Sequence, residues 1–104
     1  MAGRYLIHLG YQILDTNVSF NRREIDLIAF DPSCQELVFV EVKSRITNQY
    51  GSPSYAVDRE KLKAMAYVAG AYRRRHRLTA DFRFDIISII GDNIEHFQNV
   101  TWIR

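Results

Sequence analysis

Two apolar runs, Glu24-Ile25-Asp26-Leu27-Ile28-Ala29-Phe30 and Leu37-Val38-Phe39-Val40-Glu41-Val42-Lys43, constrain this chain more than any other feature. Both are rich in β-branched and aromatic residues, which suit buried strands. Asp31-Pro32-Ser33 lies between them and is a strong turn signal, so the runs predict a hairpin. Both runs also carry charge where burial is expected. A carboxylate or an ammonium group is costly to bury unless it pairs or binds a metal. Asp26, Glu41 and Lys43 therefore mark a candidate site at the polar ends of the strands.

The rest of the chain supplies the frame. Tyr5, Leu6 and Leu9 at helical spacing predict a first helix over Ala2–Leu9, with Gly10 as its stop. Tyr11–Leu14 reads as a first strand and Asp15-Thr16-Asn17 as a turn. Thr47–Pro53 is a polar loop. A long helix follows, from Tyr55 or Asp58 to Arg75, with Asp58 able to cap its start. Leu62, Met65, Ala66, Ala69 and Tyr72 or Arg73 form its apolar stripe. Phe82–Ile90 and Ile94–Phe97 read as two strands joined at Gly91-Asp92-Asn93. The order is helix, three strands, helix, two strands (αβββαββ). It predicts an α/β sandwich around a central mixed sheet. Tyr5, Tyr67, Tyr72 and Phe84 are expected in the core, and Trp102 on the core or in a partner contact. Asp85, inside an apolar strand, calls for a partner such as Arg83 or the hairpin loop.

At 104 residues, the expectation is a single domain over 1–104. A formal net charge of +2 permits nucleic acid as a partner without requiring it. Cys34 is the only cysteine, which excludes an intrachain disulfide and a cysteine-based zinc cluster. His8 and His96 stand apart and His76 lies in an arginine block, so a histidine metal cluster is not expected. The N-terminal stretch lacks signal-peptide features, and no apolar stretch is long enough to cross a bilayer. The expected setting is cytoplasmic, with no membrane partner.

Side chains alternate across a strand, which places Glu24 with Asp26, and Glu41 with Lys43 and Arg45. If the hairpin register aligns, Asp26 and Glu41 meet. Two adjacent carboxylates repel, and a divalent cation relieves the repulsion. Oxygen ligands of this kind suit magnesium (Mg2+) or manganese (Mn2+). Such an ion polarises a phosphodiester and helps generate hydroxide, while Lys43 orients water or stabilises developing charge. Glu24 is either a supporting or substitute ligand or a solvated residue at the strand start. The plainer alternative for Asp26, Glu41 and Lys43 is a structural salt-bridge group. Arg45 and the Asn48-Gln49-Tyr50 loop are candidate substrate contacts. Lys61 either faces phosphate or is a surface lysine. The block containing Arg73, Arg74 and Arg75 either tracks a phosphate backbone or is a solvated helix end suited to the helix dipole.

The segments E-I-D-L-I-A and F-V-E-V-K-S-R resemble the core motif of the PD-(D/E)XK nuclease superfamily, and most closely the YraN-like family of small bacterial proteins. Further similar pieces are A-G-R-Y-L followed by G-Y-Q-I-L, the G-S-P-S-Y-A-V loop, the helix bearing Lys61, and R-F-D-I-I-S-I followed by I-E-H-F-Q-N-V. The resemblance spans nearly the whole chain. It implies a restriction-endonuclease-like three-layer sandwich, metal-ligand roles for Asp26 and Glu41, and a catalytic role for Lys43. The implied activity is metal-dependent hydrolysis of DNA phosphodiesters, with Holliday-junction resolvases as relatives. Such proteins usually carry a Gly-Glu pair just before the A-x-x-Y-L piece; this sequence starts at Met1-Ala2, so that glutamate, an additional metal ligand in many superfamily members, is expected to be missing. Arg23 stands in place of a glycine, and Ser19 in place of an arginine. The alternative reading is a non-catalytic nucleic-acid-binding or interaction module on the same fold. A homodimer is a further expectation, since a nuclease this small often needs two copies to address two strands.

Overall fold

A computed structural model describes residues 1–45 and 59–100, except for the side chain of Arg45. The elements are α1 (Ala2–His8), β1 (Gln12–Phe20), β2 (Arg23–Asp31), β3 (Glu36–Arg45), α2 (Arg59–Arg75), β4 (Phe82–Ile90) and β5 (Asn93–Phe97). The strands form one five-stranded sheet in the order β1-β2-β3-β4-β5. Among the described residues only β3 and β4 pair in parallel, so the sheet is mixed, and α2 belongs to the connection between them. The expected 47–53 loop, the helix start over 55–58 and Trp102 lie outside the described residues.

Alternation along the central strands gives the sheet two apolar faces. Leu27, Ala29, Val38, Val40, Ile87 and Ile89 pack with Ala2 and Leu6 of α1. Ile28, Leu37 and Phe39 pack with Met65, Val68, Ala69 and Tyr72 of α2. The result is the expected three-layer α/β sandwich. Full burial of a Leu, Ile or Phe side chain contributes roughly 1.5–3 kcal/mol, so these two layers supply the main driving force.

Helix α1 ends as its sequence predicts. Gly10 takes a left-handed φ of 92°, its N–H donates to Ile7 O at 2.9 Å, and the Tyr11 N–H donates to Leu6 O at 3.0 Å. This pair of bonds satisfies carbonyls that the last helical turn leaves open.

Three expectations need correction. The first strand does not stop at Leu14. It continues to Phe20, with a register irregularity between Ile13 and Asp15 and a left-handed Asn17 (φ 50°) absorbing the turn-forming residues inside the strand. The chain turns instead at Asn21-Arg22, both left-handed (φ 55° and 67°), between the paired residues Phe20 and Arg23. On α2, Val68 rather than Ala66 completes the buried stripe, and Ala66 is exposed. Tyr67, expected in the core, is 42% exposed, because it lies on the helix face turned away from Met65 and Val68.

Candidate functional site

Pairing of β2 with β3 runs from Asp31↔Glu36 to Leu27↔Val40. One step further, the Asp26 side chain crosses to β3, where Oδ2 accepts a hydrogen bond from the Val42 N–H at 2.7 Å. Glu41 precedes Val42, and the Asp26 carboxylate is near enough to act on its titration. The two carboxylates that the sequence suggested would meet are therefore adjacent. Burial, opposed by Lys61 and reinforced by Asp26, raises the Glu41 pKa above its ordinary value.

Lys43 follows two residues along β3, so alternation puts it on the Glu41 side, where it is partly buried. The Lys61 Nζ atom lies 3.2 Å from Glu41 Oε1. Lys61 thus belongs to the carboxylate cluster, which it reaches from the first turns of α2. Ser88 of β4 is paired in register with Lys43, and its fully buried hydroxyl has no hydrogen-bond partner among the described residues. Nothing in the local sequence marks Ser88, because its position depends on the parallel β3–β4 register. A cavity of about 460 Å³ opens beside Asp26, between Met1–Gly3 and the Thr16-Asn17 segment of β1.

The other candidates fall outside this cluster. Glu24 is exposed and pairs in register with Ser19. Arg45 closes β3 beyond Lys43, but its side chain lies outside the described residues. Arg73, Arg74 and Arg75 occupy the last turn of α2. At 1.5 Å of rise per residue, they lie roughly 20 Å from Lys61 along the helix.

A second charged cluster occupies the α1 side of the sheet. Arg83, itself buried, donates from Nε to Asp85 Oδ1 at 3.0 Å. Its Nη1 donates to Asp31 Oδ2 at 3.2 Å and to Glu36 Oε1 at 3.0 Å. Its Nη2 donates to the Tyr11 hydroxyl at 2.7 Å. Asp85, expected to pair with Arg83, also meets His96 Nε2 at 2.7 Å and accepts from the Asn99 N–H at 2.9 Å. His96 therefore does not stand alone. Burial would lower the Arg83 pKa, but Asp85 and Glu36 outweigh it and hold it above its ordinary value. Asp31, which burial alone would raise, is brought down to about 2 by hydrogen bonds from Ser33, Cys34 and Arg83. The Cys34 thiol is pushed up by its hydrogen bond to Glu36, which keeps it protonated.

Among the described residues, no three His, Cys, Asp or Glu side chains converge as a metal-binding group. The donors at Asp26 and Glu41 are nonetheless a fair match for magnesium or manganese. Hard cations of this kind are often held by one or two carboxylates, with water and phosphate oxygens completing the shell. The cavity beside Asp26 is lined by Asp26 alone of the two carboxylates.

The fold and the cluster define a three-layer α/β protein with a carboxylate–lysine site where its central antiparallel ladder ends. Residues 1–89 match the family described as "Uncharacterised protein family UPF0102", and the chain belongs to that family. It is 40% identical to a UPF0102 protein of Chlorobium chlorochromatii (strain CaD3), over 100% of this chain and 87% of the relative. A UPF0102 protein of Persephonella marina is 37% identical, over 94% of this chain and 84% of its own length. One from a Sulfurihydrogenibium species is 35% identical over the same shares. No helix among the described residues is long and apolar enough to cross a membrane.

Proposed function

We propose that this protein is a metal-dependent nuclease of the PD-(D/E)XK type, YraN-like, that hydrolyses DNA phosphodiesters. The observation that carries this reading is the meeting of Asp26 and Glu41 at the end of the β2–β3 ladder, with Lys43 two residues further along the same strand. Asp26 and Glu41 would hold magnesium or manganese, which when bound polarises the phosphodiester and makes its water a better nucleophile. The Val42 N–H fixes the Asp26 carboxylate, so one ligand is oriented in advance. Lys43 presents a compact cation to the attacking water and to the charge developing on the phosphate. Lys61 balances Glu41.

A magnesium titration against duplex, branched and single-stranded DNA tests the proposal. Cleavage should require the metal and fall at least about a hundredfold in Glu41→Ala and Lys43→Ala. Metal-independent cleavage, or full activity in both variants, contradicts it. A second reading, a non-catalytic nucleic-acid-binding module, draws on the Lys61–Glu41 ion pair, which neutralises one carboxylate without a metal. DNA binding without turnover, unchanged in Asp26→Ala, would favour it.

A further inference from the structure

Helix α2 carries six cationic residues, Arg59, Lys61, Lys63, Arg73, Arg74 and Arg75, against the single acid Glu60. Lys63, Tyr67 and Arg74 recur at i, i+4 and i+11 and share an exposed face. The β1–β2 turn is fastened to the middle of this face. The Arg23 guanidinium lies 4.5 Å from the Tyr67 ring centroid, and Asn21 Nδ2 donates to the Tyr67 hydroxyl at 3.2 Å. Among the described residues, no carboxylate is in ion-pair contact with Arg22, Arg23, Lys63, Arg74 or Arg77. Arg83 shows the opposite condition, with three carboxylates around one guanidinium.

Backbone conformation supplies an independent observation. Arg22 and Arg77 have left-handed φ values of 67° and 53°, in positions that glycine or asparagine fills with less strain. Arg77 ends α2 in the place where Gly10 ends α1, with the Leu78 N–H donating to Arg73 O at 2.9 Å. Two exposed arginines at strained positions, neither neutralised by an acid among the described residues, point to a ligand for their charge.

We propose that the β1–β2 turn and the outer face of α2 form a nucleic-acid backbone surface, on which Arg22, Arg23, Lys63, Arg74 and Arg77 contact phosphates flanking the Asp26–Glu41 pair. This deepens the proposed nuclease reading and rests on it for the class of partner. The spacing suits the role. Arg23 precedes Asp26 by three strand residues, or roughly 10 Å. Along α2, Arg74 lies about 20 Å from Lys61. With a rise of about 3.4 Å per nucleotide, these spans correspond to about three and six base steps. Among exposed large apolar residues, only Tyr67 lies on α2, so the face lacks the hydrophobic side chains of a membrane-lying helix.

The test measures binding of a fluorescein-labelled DNA duplex by anisotropy, across a salt series with chelator present. Arg22→Gly combined with Arg77→Gly relieves both strained positions, so the variant should melt no lower than the wild type. Its affinity should nevertheless fall roughly tenfold, and the log–log salt slope by about 2. Arg74→Ala should add a further loss of about 1 in slope. Wild-type affinity and slope in both variants would overturn the proposal, as would wild-type protein that ignores DNA or prefers phosphatidylserine vesicles. Variant-sensitive binding without metal-dependent cleavage would sustain this surface and sink the nuclease reading. Cleavage by protein whose binding ignores these arginines would do the reverse.

Discussion

Arg83 and Glu41 both place charge in the central strands, but their surroundings differ in kind. Around Arg83, three carboxylates, a tyrosine hydroxyl and, through Asp85, a histidine and a backbone N–H satisfy one another on the α1 side of the sheet. Around Glu41, a neighbouring carboxylate competes with Lys61, and the buried hydroxyl of Ser88 has no partner among the described residues. The pKa directions carry the same contrast. Asp31 is held down to about 2 by its partners, whereas Glu41 is pushed up. A carboxylate held down stabilises the fold at neutral pH, and one pushed up costs stability there. The first cluster fastens the sheet together. The second keeps an arrangement that the fold alone does not favour, which is characteristic of functional sites.

The largest effect should come from opening the closed cluster. Arg83→Leu leaves Asp31, Glu36 and Asp85 without their shared cation and should destabilise the protein by about 3–5 kcal/mol in urea denaturation. A loss below about 1 kcal/mol would mean that the network is decorative and would collapse the comparison. Acid should act next. Asp31 falls from its ordinary 3.8 to about 2, so its contribution is present above the ordinary carboxylate range and is lost as pH drops toward 2. That limb is worth about 2 kcal/mol, and Asp31→Asn should flatten it in a pH series of melting temperatures. The smallest effect has the opposite sign. With chelator present at neutral pH, Glu41→Gln removes a carboxylate that costs stability and should raise it by about 1 kcal/mol. A large destabilisation would instead make Glu41 a structural ion-pair partner of Lys61.

The pattern of what the sequence reveals follows from range. Apolar alternation in β2, β3 and β4 exposed the central strands, because strand period and burial are local properties. Asp26 and Glu41 were legible for the same reason, since a short turn and alternation suffice to bring them together. The extent of β1 was not, because Asp15-Thr16-Asn17 has turn chemistry that the strand absorbs as an irregularity. Lys61 and Ser88 were not legible as neighbours of the site, since one depends on how α2 docks and the other on the parallel register. The Arg83 cluster joins Tyr11, Asp31, Glu36 and His96 across as many as 72 positions of sequence, so local pattern suggested only its Asp85 pairing.

Whether Asp26 and Glu41 hold a divalent cation is decided by calorimetric titration of manganese into the wild-type protein and Asp26→Asn. One site is expected in the wild type, at least tenfold weaker in the variant, with the fold intact by circular dichroism. Equal binding in both proteins, or no binding to the wild type, would contradict that role.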